Sequence, residues 1–173
     1  MIEAFAGKRP VVDPTAFVHP DAVLIGDVRI GPRSSIWPGA VLRGDDAPIV
    51  IGAETSIQDN SVIHATEGVS ATVVGSRVTV GHGVILHGCV VGDRCLVGMG
   101  SIVLDNAVIE DESFVGAGAL VPPNKRVRRG ELVMGNPCKV VRALTAKDLD
   151  WIDHSWQAYV KRCAEYLAER TSS

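Results

Sequence analysis

The sequence predicts an all-β solenoid, a parallel β-helix of hexapeptide repeats with a C-terminal α-helix, and three observations point to it. Aliphatic residues recur at a spacing of six: Val18, Leu24, Ile30, Ile36 and Leu42, then Ile51, Ile57 and Ile63, then Val74, Val80 and Leu86, then Val91, Val97, Val103, Ile109, Val115 and Val121. Small residues follow many of these four positions later (Ala22, Ser34, Ala40, Ser61, Ala107, Ser113, Ala119), and glycine often follows at once, as in Ile30-Gly31, Val80-Gly81 and Val97-Gly98. The chain is also rich in hydrophobic residues (46%) but poor in aromatic ones (5%), as a core of many thin aliphatic layers requires.

A period of six matches neither the three-and-four spacing of a helix nor the alternation of an isolated strand. It matches a short strand followed by a corner, with the aliphatic residue pointing to the axis and the small residue filling the turn. Three such units close a triangular coil of about 18 residues, and stacked coils share strands about 4.8 Å apart. The repeat is expected over residues 11–121. Pro122-Pro123-Asn124 breaks it, and residues 122–145, with a turn at Gly135-Asn136-Pro137, connect it to a C-terminal segment. Thr145 and Asp148 have the spacing of a capping box. Leu149, Ile152, Trp156, Tyr159, Cys163 and Leu167 then keep helical spacing, which predicts one amphipathic helix over 146–169 lying along the prism. The whole is one domain.

Composition excludes several classes of function. The net charge of −3 offers no basic surface to a phosphate backbone, so no nucleic-acid partner is expected. No apolar run reaches the roughly 18 residues of a membrane span, and the first residues do not resemble a signal peptide. Cys89, Cys95, Cys138 and Cys163 lack CxxC spacing and read as reduced, mostly buried thiols of a cytoplasmic protein.

Chemistry points to the histidines. His64 follows the inward Ile63 and His87 follows the inward Leu86. If the weakly repetitive segment between Ala65 and Val73 bulges out as a corner loop, Ile63 and Leu86 share a face one coil apart. His64 and His87 then stand side by side at about 4.8 Å, a spacing suited to two ligands of one metal. His82 lies around a corner on the preceding face and is poorly placed to join them within one chain. A neighbouring copy would supply it, most simply in a threefold ring. Three neutral imidazoles leave a coordination position open, as catalytic zinc sites do. His19 and His154 read as structural or solvated.

The runs Leu42-Arg43-Gly44-Asp45, Ile57-Gln58-Asp59-Asn60, Val62-Ile63-His64, Val80-Gly81-His82 and Leu86-His87-Gly88-Cys89 together resemble the γ-class carbonic anhydrases, and within them the short bacterial branch. The resemblance extends from Val11 through the C-terminal helix and implies the left-handed sense of the coil. It implies a homotrimer in which His64 and His87 of one subunit and His82 of the next bind zinc, or iron or cobalt, for the hydration of carbon dioxide to bicarbonate. It further implies that Gln58 orients the metal-bound hydroxide. Arg43 would pair with Asp59 or Asp45 across the interface and help hold bicarbonate. Tyr159 falls where the family places an aromatic residue near the site. Asp46 and Glu67 occupy positions of proton-relaying acids, although the loop after His64 is short and holds Glu67 alone.

Three other functions fit the same residues. A thioesterase acting on CoA esters would use the same metal. A hexapeptide acyltransferase would use a histidine as general base, usually beside a large loop of a kind this chain lacks. A catalytically weak trimeric scaffold would keep only the assembly.

Overall fold

The computed structural model describes residues 1–171 and is a parallel β-solenoid of about seven turns with one C-terminal helix. Strands mostly two or three residues long pair in parallel with the strand one coil away. Their register sorts the inward residues onto three faces. The first stacks Leu24, Leu42, Ile63, Leu86, Val103 and Val121. The second stacks Ile30, Ile51, Val74, Val91, Ile109 and Val127. The third stacks Val18, Ile36, Ile57, Val80, Val97, Val115 and Val133. All but the half-buried Val18 are buried, so the sixfold period reports the core directly.

The small residues sit at the corners, where backbone carbonyls would otherwise be buried without donors. Ser34 Oγ donates to the Gly52 carbonyl at 2.6 Å and accepts from Thr55 N at 3.0 Å. Ser61 and Ser101 repeat the donation to Gly81 (3.0 Å) and Gly116 (2.9 Å). Glycine stacks on glycine because the coils leave no room between them: a Cβ on Gly52 would stand 2.6 Å from the carbonyl carbon of Gly75.

The coil outruns the expected 11–121 at both ends. Ile2–Glu3 pairs with Leu24-Ile25, Arg126–Val127 pairs with Val108–Ile109, and Glu131–Met134 pairs with Phe114–Val115. Pro122-Pro123-Asn124 therefore does not break the repeat. Asn124 has φ +60°, and the same Pro-then-positive-φ step occurs at Pro32-Arg33 (+54°) and Pro38-Gly39 (+71°). Proline followed by a left-handed residue suits a tight turn of the type II kind, so these prolines make corners. Lys139–Ala143 then folds back antiparallel on Glu131–Met134 and occupies the open edge of the third sheet.

The helix spans Ala146–Thr171. Its start is a reciprocal cap: Thr145 N donates to Asp148 Oδ2 at 2.7 Å and Asp148 N to Thr145 Oγ1 at 3.3 Å. It lies on the third face, where Cys163, Tyr159 and Leu167 pack on Phe17 and Trp37. Arg94 fastens its first half to the coil through two bonds to Asp153, at 2.7 and 2.6 Å. No helix among the described residues is long and apolar enough to cross a membrane.

Candidate metal centre

The corner between the first and second faces is where repeat length varies. Leu42 and Ile51 are nine positions apart, Ile63 and Val74 eleven, and Leu86 and Val91 five. The first excess is absorbed in one long strand, Val41–Ile51, which carries Asp45 and Asp46 outward. The second makes the exposed turn from Thr66 to Ser70 that bears Glu67. Between them stand the two neighbouring histidines.

His64 and His87 are paired in register across adjacent strands. Their ring centroids are 5.3 Å apart, and His64 Nδ1 lies 3.3 Å from His87 Nε2. The other nitrogen of each faces carboxylates. His64 Nε2 is 3.1 Å from Asp45 Oδ1 and 3.3 Å from Asp46 Oδ2. His87 Nδ1 is 3.2 Å from Asp105 Oδ2. A carboxylate only accepts, so the nitrogen facing it bears the proton, and this assigns the tautomers. With these tautomers His64 Nδ1 and His87 Nε2 are the two nitrogens left without a proton, 3.3 Å apart.

Around this pair, Arg43 donates to Asp45 two residues along its own strand, and its Nη2 reaches to 3.5 Å from His64 Nδ1. Within one chain, then, Arg43 and Asp45 already form an ion pair. Burial raises the affinity of Asp45 for its proton, but the bonds from Arg43 and His64 outweigh it and hold the carboxyl below its usual range. Asp105 is likewise lowered, first by the Ser70 hydroxyl and then by His87. Asp45, Asp46 and His64 bring three possible ligand atoms within 4.8 Å of one another.

The remaining candidates gather at the opposite margin of the first face, where the third face turns into it. His82 Nδ1 lies 2.9 Å from Asp59 Oδ2, one coil below. Gln58 is buried, 5% exposed, and makes no carboxamide hydrogen bond within the described residues. Tyr159 comes from the helix, stacks edge-on to Trp37 at 5.6 Å, and lines a cleft with Gln58 and His82. Burial, and after it the charge of Asp59, raises the pKa of its phenol. The chain brings His64, His87, Arg43 and Asp45 together and holds His82, Gln58, Asp59 and Tyr159 in a second group.

A family described as bacterial transferase hexapeptide (six repeats) matches residues 9–44 and 88–123. Gamma carbonic anhydrase 1, mitochondrial, of Arabidopsis thaliana is 44% identical over 167 residues, covering 94% of this chain. Protein YrdA of Escherichia coli (strain K12) is 46% identical over 164 residues, covering 91% of this chain and 89% of that protein. The chain belongs to the γ-carbonic-anhydrase-like family. It spans 61% of the Arabidopsis protein's length. The crystal structure of a hexapeptide transferase family protein from Anaplasma phagocytophilum superposes with a TM-score of 0.92 at 44% identity, covering 95% of this chain and 97% of that one.

A γ-carbonic-anhydrase-like chain implies a metal, and the donor set has the spacing one needs. Two nitrogens each about 2.0–2.1 Å from a tetrahedral zinc stand roughly 3.3–3.4 Å apart. The separation of His64 Nδ1 from His87 Nε2, 3.3 Å, falls in that range. Asp105 was not foreseen from the sequence. Its only signal there is the Asp-Asn pair at a corner, indistinguishable from an ordinary turn.

Proposed function

We propose that the chain is a metal-dependent γ-type carbonic anhydrase, interconverting carbon dioxide and bicarbonate, with sites shared between the subunits of a homotrimer. The observation that supports it best is common to three histidines. Each sets one nitrogen against a carboxylate (Asp45, Asp105 or Asp59) and so leaves a lone pair on the other. His64 and His87 would give two ligands, and His82 of a neighbouring copy the third, since it stands at the far margin of the same face. Zinc bound there, or iron or cobalt, supplies Lewis acidity that makes hydroxide available at about pH 7.

The chain's own residues would divide the remaining work. Arg43, steadied by Asp45, meets the negative charge of bicarbonate. Gln58, with a free carboxamide, orients the reactants. Glu67, exposed on its turn, passes the released proton to solvent. A ladder of Val41, Val62, Ile85, Ile102 and Leu120 supports the trimer: it stands outward and in register along the first face. The solenoid has two such aliphatic ladders, and this one adjoins His64 and His87; a closed ring would cover it. Free, buried cysteines suit a reducing compartment such as the cytoplasm.

The test is elemental analysis of anaerobically prepared protein with sedimentation, on the natural chain and on His82→Ala. A metallated trimer, and a variant that stays trimeric but loses its metal, are expected. A full complement of metal in His82→Ala would refute the shared site. Hydration of carbon dioxide by the loaded protein then separates the enzyme from a thioesterase, an acyltransferase or a scaffold.

A further inference from the structure

The net charge of −3 is unevenly spread along the chain. Seven of its seventeen lysines and arginines, but only one of its twenty acids (Glu131), fall within residues 122–147. That segment forms one end of the solenoid, where Arg126–Val127 and Lys139–Ala143 are the last strands of the second and third faces. Elsewhere the cations are nearly all engaged. Among the described residues, five have neither an ion pair nor an aromatic ring beneath them: Arg9, Lys125, Arg128, Lys139 and Lys147. Four of these five border the same end. Lys125 and Arg128 flank the strand Arg126–Val127, Lys139 opens the outermost strand, and Lys147 lies in the first turn of the helix. Leu144 N donates to the Gly130 carbonyl at 2.7 Å and so holds the start of the helix against the last coil. This end also carries three aliphatic side chains in water, Met134, Val140 and Val141, each about half exposed. No residue of Lys139–Ala143 is buried.

We propose that this end of the solenoid docks on an anionic lipid surface. Lysine and arginine side chains gain there from the negative potential of the headgroups, and a cation without an internal partner gives up no ion pair to do so. Aliphatic side chains beside them enter the boundary between headgroups and acyl chains. The two features together favour a bilayer over other polyanions. A phosphate backbone or an acidic peptide would engage the cations and leave Met134, Val140 and Val141 in water. Strand addition by a peptide is further opposed at this edge, which carries Lys139 and shifts register between Leu132 and Val133. The remainder of the chain, with ten lysines and arginines against nineteen acids, is repelled by the same surface, and this sets the orientation. The patch lies within one chain and needs no ion, so the proposal stands apart from the metal reading.

The experiment is flotation of the full chain, both metal-loaded and chelated, with vesicles of equal parts phosphatidylcholine and phosphatidylglycerol or of phosphatidylcholine alone. The mixed vesicles should carry the protein with or without metal, and the neutral ones should not. Raising the salt from about 0.1 to about 1 M, which shortens the screening length from ~10 to ~3 Å, should release it. Lys125→Gln, Arg128→Gln, Lys139→Gln and Lys147→Gln together should weaken binding at least about tenfold. Lys8→Gln, Arg9→Gln, Lys161→Gln and Arg162→Gln together change the net charge equally and should weaken it less than about twofold. Val140→Ser with Val141→Ser should weaken it several-fold, and circular dichroism should show every variant folded. Equal binding to neutral vesicles, equal losses in the two charge variants, a requirement for metal, or no binding at all would overturn the proposal. So would a valine variant that binds as the natural chain does, which would make this end a site for a soluble polyanion instead.

Discussion

His64 Nδ1 and His87 Nε2 stand 3.3 Å apart, each on the side of its ring away from a carboxylate, and those carboxylates fix how the rings are turned. The residue that matters most to this arrangement is one the histidine spacing does not reveal. Asp105 takes Ser70 and His87 together, and so fixes the ring whose Nε2 faces His64. Asp105→Asn replaces half of that acceptor with a donor. Metal affinity, measured by competition with a chelator, should fall by about 10- to 100-fold while the secondary structure is unchanged. An affinity equal to that of the natural chain would show that Asp105 merely closes the turn.

Single strands here are too short to be stable alone, and each element is defined by its neighbours one coil above and below. This is why the fold was legible from the sequence. Every inward position repeats the same local environment, so Ile57 or Val97 announces its role by spacing alone. The elements misread were those where a familiar local signal had a different setting. Pro122-Pro123 looks like a terminator, yet at a corner with Asn124 at φ +60° it only turns the chain. The contacts of Asp45 and Asp105 with histidines across 18 or 19 residues leave no periodic trace. The two kinds of corner glycine give a sharp test at this scale. Gly52→Ala forces a methyl against the backbone of Gly75 and should cost about 1–3 kcal/mol, a loss visible in thermal melting. Gly118 has open space but φ +67°, a conformation Asn60 already holds at +58° on the same column of corners. Gly118→Asn should therefore be close to neutral, and equal losses at the two sites would contradict this division between space and conformation.

Across the whole molecule, charge ties the corners and the helix into one body. Glu54 bridges Arg33 and Arg77, Glu112 bridges Arg94 and Arg129, and Arg94 reaches on to Asp153 of the helix. Bonds from Arg129 and then Arg94 lower the pKa of Glu112, and a bond from Arg94 lowers that of Asp153. At Glu54 burial opposes the shift, but the two arginines prevail. Asp148 is held far below the carboxylate range by Arg142 and then by Thr145. All four titrate lower in the folded state than in the unfolded chain, where the value is about 4. Their contribution is therefore complete above about pH 4 and is lost as pH falls through the lowered folded values. Stability followed by denaturant titration should stay nearly level from these groups between about pH 7 and 5 and fall steadily below about pH 4. Glu112→Gln keeps the shape of its side chain but has no proton to take up, so it should be less stable at neutral pH and lose less on acidification. If natural chain and variant lost stability in parallel on acidification, the Glu112 ion pairs would not be what acid dismantles.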